Sequence, residues 1–177
     1  MTVYNGRLYV GGTFGNAGRI TANNIATWNR TQWDSVGWGT DGIVDVLYTD
    51  TIDNLLYVGG GFYNAGGTFT GSFAKWNGSN WSAVGNYTFY GNTYAVARYN
   101  NNIYRGGGSS TASVSDTVIS IWDGNYWCPM VPGPDNTVTA MESYQGKLYI
   151  GGYFDTVGTF AANYLATWGV DPVRLRE

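Results

Sequence analysis

The side chains available for chemistry in this chain are mainly carboxylates and aromatic rings. There are twelve acidic residues, eight Trp and fifteen Tyr, against one Cys and no His. Without His there is no imidazole base, no His-based triad and no His metal ligand. The carboxylates are Asp34, Asp41, Asp45, Asp50, Asp53, Asp116, Asp123, Asp135, Glu142, Asp155, Asp171 and Glu177. Most stand in short polar stretches, where Asp ordinarily hydrogen-bonds its own backbone. A glycosidase needs two carboxyl groups facing each other across a cleft, and no spacing here singles out a pair. Asp50 and Asp53 fall in the run TDTIDN, which lacks a recognised calcium-loop pattern. Cys128 has no disulfide partner and stands beside Trp127, the setting of a packed small hydrophobe. No catalytic residue, cofactor or metal site is expected.

Binding is better served. Aromatic faces beside Asn, Asp and Gly turns hold sugars through CH–π contact and hydrogen bonds. Trp38 in GWGTDG, and Tyr87, Phe89 and Tyr90 in NYTFYGN, are candidates because they interrupt an otherwise repeated sequence. Trp33, Trp81 and Trp127 recur with the repeat. They either line equivalent sugar pockets or pack one repeat on the next, and packing is the expectation. Four Asn-x-Ser/Thr acceptor patterns begin at Asn29, Asn77, Asn80 and Asn86. Three of them lie in or beside turns between two Trp residues, where Asn and Ser suit the turn anyway.

The elements that would position these groups are written four times. LYVGGTF (8–14), LYVGGGF (56–62), IYRGGGS (103–109) and LYIGGYF (148–154) carry the pairs Gly11-Gly12, Gly59-Gly60, Gly106-Gly107 and Gly151-Gly152. Successive pairs are 48, 47 and 45 residues apart. A second marker keeps the period at Trp28, Trp76, Trp122 and Trp168, and a third at Trp33, Trp81 and Trp127. Such a period indicates blades of a propeller or another array. Each unit reads as four short strands. The first is apolar and mostly Tyr-ended (1–4, 43–48, 95–99, 138–144), followed by a tight turn at Asn5-Gly6, Asn100-Asn101 or Gln145-Gly146. The second is the LYVGG strand, its glycines expected to bend the chain and admit neighbouring backbone. The third ends at Trp28, Trp76, Trp122 or Trp168, and the fourth begins at the next Trp. In the last unit VRLRE (173–177) takes that place.

This order of apolar strand, turn, L-Y-V-G-G-x-F and A-x-W-N-G-x-x-W-x-x-V-G resembles the kelch-like, LYVGG-type β-propeller repeats. It is similar to those in the central domain of galactose oxidase and in cell-surface and viral propeller proteins. The resemblance runs from Val3 to Trp168 and implies four-stranded blades around a central channel. It does not carry over the copper chemistry of galactose oxidase, which needs His ligands and a modified Cys–Tyr pair. The expected fold is therefore all-β, a β-propeller of about four four-stranded blades in one domain, 1–177. Blade 1 spans about 1–37, blade 2 about 43–85, blade 3 about 94–131 and blade 4 about 138–177. Four blades close a ring or form an arc of a larger propeller completed by other copies. The closed ring is favoured because open blade faces would expose apolar surface.

Composition fits that class. The chain is 44% hydrophobic, 17% aromatic and only 12% charged, with 27 Gly among 177 residues, which favours short strands and tight turns over helix. A net charge of −3 with scattered Lys and Arg argues against nucleic acid. No apolar run is long enough for a membrane span, and MTVYNGRLYV has no signal-peptide pattern. The expected role is a non-enzymatic interaction or structural module on a virion, fibre or cell envelope. Its expected partner is a protein or a glycan, with homo-oligomerisation open. A lectin with repeated pockets is the second expectation, and an enzyme with a channel site the last.

Overall fold

The computed structural model describes residues 1–86, 89, 91–108 and 118–169. They are all-β: among the described residues there is no helix, and many antiparallel sheets of two to four strands. The chain forms two compact units, Met1–Thr93 and Tyr94–Glu177.

In the first unit the strands are β1 (Thr2–Tyr4), β2 (Arg7–Gly11), β3 (Asn16–Ala17), β4 (Ile20–Thr21), β5 (Ile25–Trp28) and β6 (Trp33–Ser35). They continue with β7 (Ile43–Asp50), β8 (Leu55–Gly61), β9 (Asn64–Ala65), β10 (Thr68–Phe69), β11 (Phe73–Trp76) and β12 (Trp81–Ala83). Sheet 1 runs β1-β2-β5-β6 and sheet 2 runs β7-β8-β11-β12. Asn5 (φ 48°) and Gly6 (φ 73°) both take the left-handed conformation that a two-residue hairpin turn demands. Between β5 and β6 the side-chain oxygen of Asn29 accepts the N–H groups of Thr31 and Gln32, both at 3.0 Å. Asn77 repeats this with Ser79 and Asn80. The four-residue turn therefore sets Trp28 opposite Trp33 and Trp76 opposite Trp81. The indoles meet at centroid distances of 5.3 and 5.2 Å. Tyr4, Ile25, Val44, Leu56, Val58 and Phe62 lead the buried core.

In the second unit the strands are β13 (Thr93–Tyr99), β14 (Asn102–Gly107), β15 (Ile119–Trp122), β16 (Trp127–Pro129), β17 (Val138–Tyr144), β18 (Lys147–Gly152), β19 (Thr156–Val157), β20 (Phe160–Ala161) and β21 (Leu165–Trp168). Sheet 3 runs β13-β14-β15-β16, and sheet 4 runs β17-β18-β21. The fourth strand expected at 173–177 lies outside the described residues. Asn100-Asn101 and Gln145-Gly146 again turn with positive φ. Asp123 takes the turn-closing part of Asn29, accepting from Asn125 and Tyr126, and Trp122 meets Trp127 at 5.4 Å. Arg105 stands where Val10, Val58 and Ile150 stand in the other copies, and like Val58 and Ile150 it is buried.

Two expectations change. The glycine pairs do not bend their strands by left-handed backbone. Gly59-Gly60, Gly106-Gly107 and Gly151-Gly152 lie inside β8, β14 and β18, and none has positive φ. The other half of the expectation, room for neighbouring backbone, is what they serve: a Cβ on Gly60 would run into the Ile43 carbonyl oxygen, and one on Gly152 into that of Thr137. Cys128, expected to be packed, is exposed, because β16 is an edge strand of sheet 3. The short hairpins β3–β4, β9–β10 and β19–β20 were not foreseen.

Candidate functional site

The strongest site lies on the segment 36–42, which joins β6 to β7. Gly37 (φ 58°) and Gly39 (φ 71°) give it two left-handed kinks, and a Cβ on Gly39 would strike the Asn23 carbonyl. The loop is fixed from both sides. Asn23 donates through Nδ2 to Trp38 O (3.1 Å) and accepts from Thr40 N (3.0 Å) on its own carbonyl. Asn24 Nδ2 donates to Thr40 O at 2.9 Å. From the other side Gly66 N donates to Gly39 O at 2.7 Å.

Asp41 completes the clamp. Its Oδ1 accepts from Tyr63 N (2.8 Å) and Asn64 N (2.9 Å), and its Oδ2 from Asn64 Nδ2 (2.6 Å). Desolvation pushes the Asp41 pKa up, but these hydrogen bonds outweigh it and hold the group below the ordinary carboxylate value. Asp135 repeats the device in the second unit. Backbone and side-chain donors on Thr156, joined by Asp155 N–H, hold it low. Both carboxylates are thus structural fasteners that tie a loop to a short hairpin.

With its backbone held this way, Trp38 presents its indole to solvent at 83% exposure. It lines a recess of about 200 Å³ with Thr21, Asn23, Ser35 and Gly37. Asn23 also borders a wider open cleft of about 530 Å³, with Thr13, Phe14, Asn24, Thr40 and Asp41. An aromatic plate on a rigid loop, flanked by amide, hydroxyl and carboxylate groups, can stack an apolar ring face and hydrogen-bond its rim. Pro132 takes the place of Trp38 ahead of Asp135, so the fastening is repeated and the indole is not.

The other expected residues do not gather there. Trp33, Trp81 and Trp127 each lie in a different sheet, packed in tilted contact with Trp28, Trp76 and Trp122 respectively. Trp33 and Trp127 are half-buried, and Trp81 is buried with Nε1 donating to Val36 O at 3.0 Å. Tyr87 and Tyr90 lie outside the described residues, and Phe89 between them is buried. Asp50 is buried and accepts the N–H of Ile52 across the turn after β7. Among the described residues no three His, Cys, Asp or Glu side chains form a metal cluster. Asp45, on the bulge between Val44 and Val46, has its pKa raised by partial desolvation while still open to solvent. Sequence reading missed Asn23, Asn24 and Asp41. Their signal was the polar pair Asn23-Asn24 and the shared Asp after Thr40 and Pro134.

The fasteners give a pH dependence. Both are lowered from an ordinary value of 3.8, so each adds stability above that pH. The contribution is lost as pH falls through the lower folded value. The thermal midpoint of the protein should drop on acidification below about pH 4. The double variant Asp41→Asn, Asp135→Asn should show a flatter acid limb; an unchanged limb would show that neither group is a fastener.

No family model and no curated protein matches the chain. Among the described residues no helix is long and apolar enough to cross a membrane.

Proposed function

We propose that the chain is a kelch-like β-propeller repeat protein, and that it serves as a non-enzymatic interaction module displayed on a surface such as a virion, fibre or cell envelope. The observation that carries this reading is Trp38. Repeated indoles pack against one another within their sheets, whereas this unrepeated one stands on a clamped loop with its face in water. A large aromatic held rigid in solvent gains nothing for the fold and suits the centre of a contact.

A second reading, carbohydrate binding, is supported by the polar rim of the same recess, Thr21, Asn23 and Ser35. Titrating a panel of glycans against intrinsic Trp fluorescence separates the two. If the ligand is a glycan, one sugar class will quench emission, and Trp38→Ala will abolish that response and weaken binding about tenfold, the worth of one stacking contact. The melting temperature should be unchanged. Silence across the panel would remove the lectin reading and leave a protein partner. Glycan binding that survives Trp38→Ala would place the site elsewhere.

A further inference from the structure

The short hairpins share an edge that is filled in two places and open in a third. After Phe62 the chain reads Tyr63-Asn64-Ala65-Gly66 through β9, and after Phe154 it reads Asp155-Thr156-Val157-Gly158 through β19. The same run after Phe14 is Gly15-Asn16-Ala17-Gly18, through β3. The three hairpins have one shape. Gly18, Gly66 and Gly158 turn at φ 59°, 60° and 60°. The carbonyls of Gly15, Tyr63 and Asp155 accept from Ala22, Thr70 and Ala162 at 2.9, 2.9 and 2.8 Å.

On β9 and β19 the outer edge holds an extended Gly-x-Asp segment. Gly39-Thr40-Asp41 lies on β9 through the bridge Thr40↔Ala65, and Gly133-Pro134-Asp135 lies on β19 through Pro134↔Val157. Gly66 N donates to Gly39 O at 2.7 Å, and Gly158 N to Gly133 O at 3.1 Å. In return Asn64 O and Thr156 O accept from Asp41 N and Asp135 N, both at 3.1 Å. Each carboxylate then accepts from two consecutive backbone N–H groups and one side chain. For Asp41 these are Tyr63 N, Asn64 N and Asn64 Nδ2; for Asp135 they are Asp155 N, Thr156 N and Thr156 Oγ1.

β3 carries the same groups: the N–H of Gly15, Asn16 and Gly18, the Asn16 carbonyl and the Asn16 side-chain amide. Gly15, Asn16 and Gly18 are exposed. Among the described residues no segment lies on this edge as 39–41 and 133–135 lie on theirs. An uncovered strand edge is a template for pairing with another segment. A bare carboxylate would meet only the consecutive N–H groups and the amide. Meeting Asn16 O and Gly18 N as well takes backbone on both sides of the middle residue, so the ligand that fits is a peptide added as a strand.

We propose that the β3 edge is a receptor for an extended Gly-x-Asp segment of a partner protein. The chain holds a third such run, Gly169-Val170-Asp171, of which Val170 and Asp171 lie outside the described residues. That run directly follows Trp168, in the place where Asn29, Asn77 and Asp123 open the turn after a Trp. Both segments that fill an edge stand instead just ahead of the first strand of a sheet, β7 or β17. The run at 169–171 therefore does not hold a fastener's place, which leaves the edge to a partner. The inference rests on the hairpin geometry and is independent of what Trp38 binds.

Amide NMR on the full chain, titrated with the peptide acetyl-Gly-Thr-Asp-Gly-amide, tests it. The Gly15, Asn16 and Gly18 amides should shift together and saturate at millimolar peptide. Those of Tyr63, Asn64, Asp155 and Thr156, already engaged, should stay. The same peptide with Asn for Asp should bind about tenfold more weakly, because a charge-assisted pair is lost. Asn16→Ala should weaken binding about threefold, and Asn16→Thr, which copies Thr156, should restore it. Neither should move the melting temperature. Unmoved Gly15, Asn16 and Gly18 amides, equal binding of the Asp and Asn peptides, or equal shifts at all three amides with acetate alone would each overturn the receptor. Binding seen only in Asp171→Asn would show that 169–171 occupies the edge and would overturn the partner. Trp38→Ala should leave the peptide response as it is, which separates this result from the glycan test.

Discussion

Trp81→Ala will lower the unfolding free energy by about 4 kcal/mol, within the range for emptying a packed indole site. Trp33→Ala, the same change in the same motif, will cost about 1.5 kcal/mol, because a half-buried ring has less area to lose. Trp81 packs in tilted contact with Trp76 and is hydrogen-bonded to Val36 O. Two left-handed glycines press backbone against it: a Cβ on Gly37 would lie 2.9 Å from Nε1, and one on Gly66 would run into Cδ1. Truncation leaves a cavity between backbones that have no side chain to send into it, and a buried carbonyl without its donor. Trp81→Phe keeps most of the buried area and loses the hydrogen bond, so about 1.5 kcal/mol should separate it from wild type. Urea denaturation with an unchanged slope reads all three. Equal losses for Trp81→Ala and Trp33→Ala would show that contact with the preceding sheet is not what Trp81 provides.

The second large effect falls on glycines that look alike in sequence. Gly12, Gly60 and Gly152 each end a Gly pair, yet Gly60→Ala and Gly152→Ala should cost about 3 kcal/mol and Gly12→Ala well under 1 kcal/mol. At Gly60 the added methyl would run into the Ile43 carbonyl, and at Gly152 into the Thr137 carbonyl. Backbone carbonyls cannot rotate aside as a side chain does, so the first and second strands of the sheet must part. At Gly12 the nearest atom is Phe14 Cδ1, at 3.4 Å, and a ring edge yields. None of the three has positive φ, so backbone strain does not blur the comparison. Equal melting temperatures for the three variants would refute the close-approach explanation of the repeat.

How far this was legible depends on the reach of each signal. The hairpin turns could be read because Asn5-Gly6 and Gln145-Gly146 meet a local φ requirement. The Trp pairs could be read because a four-residue turn leaves one register open, and Asn29, Asn77 and Asp123 close that turn with their own side chains. The hairpins β3–β4 and β9–β10 escaped because two-residue strands leave no periodicity. Their trace is the Asn-Ala-Gly shared by 16–18 and 64–66, with Gly18 and Gly66 at φ 59° and 60°. Arg105 hid in a position whose counterparts are aliphatic, since its long stem can be buried as the side chains of Val58 and Ile150 are. In the candidate site Trp38 stood out because it broke the pattern. Asp41 did not, since its donors lie 22 and 23 residues further along the chain. An Asp in a Gly-rich loop carries no mark of that distance.

Each large sheet draws its strands from one uninterrupted stretch of chain, with no strand exchanged between repeats among the described residues. Ordering one repeat therefore requires closing only short loops, and the entropy of bringing distant segments together is met only when sheets dock. Amide protons should accordingly exchange in blocks that follow the repeats rather than in one global event. The first unit, held by Trp81 and the Asp41 clamp, should keep its protons longest.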